Sequence, residues 1–412
     1  MRVLFTMFPW GSHYLPIVPL GWAFALAGHE VRMASMPALV DTVVESGLPA
    51  VPIGPDGQAA AITKAAGMAP PPGKTHEDEI EREVWAPDWP RFPDRLNATQ
   101  QGYFAKMSGR AAAISDAMLG DLIEFGRSWQ PDLIVYDSDQ FAGAVAAAVL
   151  NAPSARYLLG MPGMMRIESC YGVEAVPQYL DLFHKYGVEP RTEPDAWIDP
   201  CPPSVQYPYP ADSVVLPMRN IPYNGRGVLP EWLREPPAKP RVCATWGGSF
   251  EKQGTALLDL VRRTVDALAE LDVEVVAAVS PALRDRLDDL PPNVFPAASV
   301  PLGMLMPSCS AVIHHGGAGT ALTAAAHGVP QLIMSRPPHF ALLGDRVAAT
   351  GAGRNLLLSD IPEGADGTVT IRQETARLLE DPAHREAAER LRKEIANQPA
   401  PAEVVASLEK LA

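Results

Sequence analysis

Continuous apolar runs alternate with helix-period stretches along most of this chain. Val3 to Phe8 reads as a buried strand, and Pro16 to Ala27 as a helix that stops at Gly28. Apolar runs return at Val31 to Ala34 and Pro49 to Ile53, on either side of a short helix around Ala38 to Glu45. After a break come a helix from about Tyr103 to Arg127, a strand Asp132 to Tyr136, a helix Phe141 to Leu150 and a strand Ala155 to Leu159. A second series begins at Arg241 to Trp246, with a helix from about Gly254 to Leu271 and a strand Val273 to Val279. It continues with a helix Ala282 to Leu287, strands Asn293 to Ala297, Ala311 to Ile313 and Gln331 to Met334, and a helix near Leu343 to Thr350. Strands that are apolar at every position and separated by helices predict parallel sheets covered on both faces.

Two such series imply two domains. The proline-rich passage Pro200 to Pro210 and the stretch Leu216 to Pro240 read as the crossing between them. The expected fold is α/β, with two doubly wound Rossmann-like domains facing across a cleft. Their expected extents are residues 1–215 and 241–395, joined by a linker at 216–240 and followed by a terminal segment at 396–412. Ligands of such folds bind outside the carboxyl ends of the strands. Residues 55–100 interrupt the first domain with Pro70-Pro71-Pro72-Gly73, a charged run from His76 to Glu83, and Trp85, Trp89 and Phe92 among prolines. A long insertion of this kind is usually functional or mobile, and its aromatics fit either a ligand pocket or a surface excursion with its own small cluster.

The strongest chemical signal lies between a strand ending at Ile313 and a helix over Thr320 to Ala326. His314-His315-Gly316-Gly317-Ala318-Gly319-Thr320 places glycines where a ligand must approach the backbone, just ahead of unpaired helix N–H groups and the positive end of the helix dipole. That describes an anion site, most naturally for phosphate. No Lys-Ser or Lys-Thr follows, so the turn is not a Walker loop, and it lacks the GxGxxG spacing of dinucleotide folds. Adjacent histidines on an extended strand point to opposite faces, which argues against a shared metal ion. Tight strand-to-helix packing is the alternative reading of the glycines alone.

Net charge narrows the partners. At −14, with a pI near 5.1, the chain repels nucleic acid and anionic membranes at long range, so an anion must be held locally. Cys170, Cys201, Cys243 and Cys309 are scattered without a CxxC pair, which reads as reduced thiols in a cytoplasmic protein. The N-terminus reads as a strand rather than a signal peptide, and no stretch approaches the length of a membrane span.

Val300-Pro301, Leu305, Pro307, Cys309, the His-His-Gly-Gly-Ala-Gly-Thr run and Gly328-Val329-Pro330-Gln331 together resemble the nucleotide-sugar motif of inverting GT-B glycosyltransferases. The resemblance extends through Val18 to Phe24, Gly28-His29-Glu30-Val31 and Met218 to Gly225, covering nearly the whole chain. It is closer to bacterial enzymes that attach deoxysugars to polyketide and macrolide aglycones. This implies an acceptor-binding first domain, a nucleotide-sugar-binding second domain, and last helices that return to the first. It also implies transfer from a nucleoside diphosphate sugar, dTDP-linked if the closer group holds, which is a substrate; no cofactor and no metal are expected.

The resemblance assigns residues. His13 matches the catalytic histidine and Asp137 its orienting aspartate, with Asp139 as fallback. Either aspartate also suits a helix cap, and Asp137-Ser138-Asp139 taken alone is a metal-binding DxD of the GT-A kind. His314 is expected to reach the α-phosphate, with His315, Gly316, Gly317, Gly319 and Thr320 around the diphosphate and Gly247, Gly248 and Ser249 on the opposite wall. Ser299 and Val300 are expected to meet the base. Where the family places an Asp-Gln or Asp-Asn pair against the donor sugar, this chain has His339-Phe340, an apolar edge that favours a deoxygenated hexose. Trp85, Trp89 and Phe92 are the candidates for acceptor binding. An auxiliary activator protein, docking on the charged stretch His76 to Arg91, and a homodimer stay open. So do two other functions, a nucleotide-sugar epimerase and a non-catalytic assembly partner.

Overall fold

β1 (Arg2–Thr6) is buried from Val3 onward because it has parallel neighbours on both edges and helices on both faces. The structure, a computed structural model, describes residues 1–57, 59–68, 78, 80–86, 89–92, 95–160, 177–209, 212–247, 255–287, 289–298 and 300–412. β1 pairs with β2 (Glu30–Ser35) and β4 (Leu133–Asp137). With β3 (Ala50–Pro52), β5 (Ser154–Tyr157), β6 (Ala196–Asp199) and β7 (Val215–Pro217) they form one parallel sheet, ordered β3-β2-β1-β4-β5-β6-β7. The second sheet takes β8 (Arg241–Thr245), β9 (Glu274–Val279), β10 (Val294–Ala298), β11 (Ala311–His314), β12 (Gln331–Ser335) and β13 (Gly353–Leu357). Its order is β10-β9-β8-β11-β12-β13, also parallel. Both orders reverse direction beside the first strand of the sheet, which is where a doubly wound fold opens a crevice. The molecule is the expected pair of doubly wound α/β domains.

β6, β7 and β13 were not expected. They are three to five residues long and bounded by Pro, Gly or Asp, too short for any periodicity to show. β7 carries the first domain to Pro217 rather than 215. Within the insertion, Ala59–Ala65 is helical, and the helix that follows runs over Ala98–Trp129, starting earlier than its apolar pattern suggests. Asn97 supplies that start: its side chain accepts from Gln100 N–H while the Gln100 side chain accepts from Asn97 N–H, each at 3.0 Å.

The chain crosses between domains twice. It leaves after β7 through residues 218–240 and returns after the helix Pro382–Asn397. The terminal helix Pro401–Leu408 sets Val404, Val405 and Leu408 into the apolar layer formed by Val3, Phe5, Val18 and Phe24 of the first domain. The two crossings touch, since Arg219 N–H donates to the Pro399 carbonyl at 2.8 Å. Among their other contacts, the domains meet where Arg336 pairs with Asp78 at 3.2 Å and Glu81 at 3.4 Å. Those two carboxylates belong to the charged stretch expected to dock an activator. Among the described residues, no helix is long and apolar enough to cross a membrane, and Cys201, Cys243 and Cys309 are buried free thiols; Cys170 lies outside them.

Candidate active site

Register brings the first pair of candidates together. Thr6 on β1 lies beside Tyr136 on β4, so the chain leaving β1 and the last residue of β4, Asp137, emerge at one sheet edge. Asp137 is fully buried; its Oδ2 accepts from Phe8 N–H at 2.5 Å and its Oδ1 from Asp139 N–H at 2.7 Å. His13 lies in a one-turn helix, Gly11–Tyr14, rather than an open loop, with Nδ1 3.4 Å from Asp137 Oδ1. A carboxylate only accepts, so Nδ1 carries the proton toward Asp137 and Nε2 is left with its lone pair. Burial pulls the His13 pKa down; the charge and hydrogen bond of Asp137, with Asp139 behind it, more than restore it, and it ends above its ordinary 6.5. Asp139 Oδ2 is 4.0 Å from Nε2. Phe8 and Trp10 wall the imidazole, with ring centres at 5.0 and 5.6 Å.

Behind this pair stands a residue that the sequence did not single out. Arg156 on β5 is buried between Tyr136 and Trp197, its guanidinium carbon 5.7 and 5.3 Å from their rings, and it donates to the Ser138 carbonyl. It therefore fixes the turn that carries Asp137 and Asp139.

In the second domain, β11 ends between Thr245 of β8 and Ile333 of β12 and delivers His314 into the core. Both ring nitrogens of His314 are used. Nδ1 accepts from Gly316 N–H at 3.1 Å, so Nε2 must carry the proton, which it donates to Gln331 Oε1 at 2.9 Å. The Gln331 amide is oriented in turn by donating to the Ala321 carbonyl at 3.2 Å. Burial pushes the His314 pKa down to about 4 despite the Gln331 bond. His314, expected at the α-phosphate, has no donor left for it and shapes the turn instead. His315 points the other way. Its ring lies edge-on to Phe340 at 5.4 Å and close to Gly247 and Gly317, where added Cβ atoms would stand 3.3 Å from Cε1 and 2.5 Å from Nε2. Burial, then repulsion from His314 and His339, takes the His315 pKa to about 3, so the ring is neutral.

Gly317 caps the helix Ala318–Ala326, which leaves the N–H groups of Ala318, Gly319 and Thr320 without helical partners. Gly316 has φ +95° and faces Phe340, whose Cβ and carbonyl leave no room for a side chain. His339 and Phe340 open the next helix, His339–Ala349, so both lie beside the turn. Asn224 of the linker ties this end of the domain together, accepting from Gly303 N–H at 2.8 Å and donating to Thr323 Oγ1 at 3.2 Å. Val300 packs on the cluster of Leu305 and Met306. Gly248, Ser249 and Ser299 lie outside the described residues. Gly160, just beyond β5, reaches across from the first domain; its missing Cβ would stand 2.6 Å from Ala318 Cβ.

The expected acceptor aromatics need correction. Trp89 is 2% exposed and packs on Trp85 and Phe104 at 5.3 and 5.1 Å, while Arg95 covers Phe92 at 3.9 Å. Trp89 is a core residue of the insertion, packed on Phe104 of the long helix.

Two family models match the chain, the N-terminal domain of erythromycin biosynthesis protein CIII-like proteins over residues 22–247 and the C-terminal domain of the same proteins over residues 262–411. The 10-deoxymethynolide desosaminyltransferase of Streptomyces venezuelae is 38% identical over 443 residues, spanning 100% of this chain and 97% of that protein. The aclacinomycin-T 2-deoxy-L-fucose transferase of Streptomyces galilaeus is 38% identical over 434 residues, spanning 100% and 96%. Among solved structures, the glycosyltransferase VinC in complex with dTDP superposes with a TM-score of 0.79 at 32% identity, covering 100% of this chain and 99% of that one.

Proposed function

The chain belongs to the erythromycin biosynthesis protein CIII-like family of glycosyltransferases, and from that premise we propose that it moves a deoxysugar from dTDP to a hydroxyl of a macrolide or polyketide aglycone. The observation that carries the mechanism is the buried His13–Asp137 pair, which leaves Nε2 free to accept a proton. As the acceptor oxygen attacks the anomeric carbon from the face opposite the diphosphate, its proton passes to His13 Nε2. The bond from carbon to the phosphate oxygen breaks, and configuration inverts. Asp137 stabilises the imidazolium that forms, a contribution of about 10²–10⁴ in rate for a positioned base.

The leaving dTDP carries its new charge onto the N–H groups of Ala318, Gly319 and Thr320 and the dipole of their helix. His315 takes the phosphate contact expected of His314, because its ring faces the turn and His314 is saturated. These donors need no metal, and both oxygens of Asp137 already accept hydrogen bonds from the protein. Phe340 beside Gly316 gives the donor sugar an apolar edge. A hydroxyl pressed there without a partner costs about 1–3 kcal/mol, so a dTDP-deoxyhexose should exceed UDP-glucose by about tenfold or more in kcat/KM.

The test is transfer by the purified protein to one macrolide aglycone from a panel of dTDP- and UDP-sugars, with and without EDTA. Deoxysugar transfer unaffected by EDTA is expected. His13→Ala should lower kcat by about 10² or more with dTDP affinity unchanged. Binding of dTDP-sugars without any turnover would instead mark a non-catalytic partner, and activity lost to EDTA and restored by Mn²⁺ would return Asp137-Ser138-Asp139 to a metal site.

A further inference from the structure

Arg110 is a cation beside the base that the transfer step leaves unused. It projects from the Ala98–Trp129 helix, half-buried, with its guanidinium carbon 5.2 Å from the centre of the Trp10 ring, which itself stands edge-on to His13. Met107 and Ala111, its helix neighbours, are buried and apolar. Its charge reaches His13, where it opposes protonation. Yet among the described residues Arg110 forms no ion pair, and its Nε is closed off from solvent without an acceptor. The site's carboxylates are committed elsewhere, Asp137 to Phe8, Asp139 and His13, and Asp139 beside His13 Nε2.

The Nε is walled in and meets no ligand; the outer N–H groups of this half-buried side chain, given no acceptor by the described residues, are the donors an arriving oxygen can reach. That oxygen is not the diphosphate's, since the phosphate turn lies in the other domain and Arg110 shares the acceptor side with His13. We infer that Arg110 selects the acceptor by hydrogen-bonding a carbonyl oxygen of the aglycone close to the hydroxyl that His13 deprotonates. In a polyketide skeleton oxygens fall on alternate carbons, so a hydroxyl two carbons from a carbonyl is the pattern that base and guanidinium together read. The hydroxyl half of this inference rests on the transferase reading; the carbonyl half is a binding contact and is measured separately.

The probe is a macrolide aglycone with a ketone two carbons from its free hydroxyl, beside the same ring after reduction of that ketone to the alcohol. Binding of each is followed by calorimetry with dTDP present. Wild type should hold the ketone about tenfold more tightly, Arg110→Met should bind the two within about twofold, and Arg110→Lys should keep part of the preference. Unchanged dTDP affinity and an unchanged melting temperature show that Arg110→Met is folded. Equal binding of ketone and alcohol by wild type, binding of neither, or a preference that survives in Arg110→Met overturns the inference. If the preference follows Arg110 but no donor supports turnover, the contact stands and the transferase reading falls. Brisk transfer to both acceptors by wild type and variant alike does the reverse, leaving transfer in place and removing the contact.

Discussion

Replacing Gln331 by leucine removes one side chain that holds the glycine turn, proposed above to bind the diphosphate, from inside the fold. Leucine fills nearly the same volume, so the cost is one of polar groups rather than of packing. Two hydrogen bonds go: the one from His314 Nε2 at 2.9 Å and the one to the Ala321 carbonyl at 3.2 Å. A buried donor or acceptor left without a partner costs about 1–3 kcal/mol, which puts the pair at about 2–4 kcal/mol after some relaxation. His314 has one escape. Moving its proton to Nδ1 spares the lost acceptor but sets a donor against the Gly316 N–H, 3.1 Å away, and forces the turn open. Either course disturbs the turn ahead of Gly319 and Thr320, and if these bind the diphosphate as proposed, a loss of about 1.4 kcal/mol or more there weakens dTDP binding at least about tenfold. Urea unfolding at constant slope reads the stability, and calorimetry with dTDP reads the site. Wild-type dTDP affinity in Gln331→Leu would refute the claim that His314 and Gln331 hold the turn, whatever happened to stability.

Two further outcomes follow from the titrating groups. The rate of transfer should rise with pH through the raised pKa of His13, since only the neutral ring accepts a proton; Asp137→Asn removes the charge that raises it, and burial then moves the acid limb to lower pH while the plateau falls by about 10² or more. A limb that does not move in pH–rate profiles would separate Asp137 from His13. His314 and His315 have pKa values lowered to about 4 and 3, so the unfolded chain binds more protons than the folded one below 6.5. Their contribution to stability is complete above pH 6.5 and lost as pH falls through those values, and His315→Gln should reduce the slope of unfolding free energy against pH between 4 and 6.5 by about one proton, or about 1.4 kcal/mol per pH unit. An unchanged slope would place the acid sensitivity elsewhere.

The two-domain α/β plan was legible because strands buried on both faces are apolar at every position, as Val3 to Phe5 and Val275 to Val279 are. β6 and β7 were not, since four and three residues between prolines carry no period. The glycine turn between β11 and the helix Ala318–Ala326 was readable from its residues, and alternation along a strand already separated His314 from His315. Which of the two faces inward was not readable, because it depends on Gln331, seventeen residues on. His13 and Asp137 are 124 residues apart and meet only through the pairing of β1 with β4, so without the family motif nothing local links them. Trp89 misled because an aromatic among prolines looks the same from sequence whether it lines a cleft or packs on Phe104. Arg110 and Arg156 were invisible as single charges in ordinary elements. Their importance comes from what surrounds them.

The contact between Arg219 and Pro399 sets how the molecule can move. A body joined by one strand can swing in any direction. Here two strands of chain pass between the domains at one place, pinned to each other and to Cys201 through the Gln398 side chain, and so behave like the knuckles of a single hinge. Arg336, gripping Asp78 and Glu81, is a second tie between the domains that any opening must break. These ion pairs act as a clasp, and high salt, which weakens a partly exposed ion pair but spares a backbone hydrogen bond, should loosen the clasp before the pin.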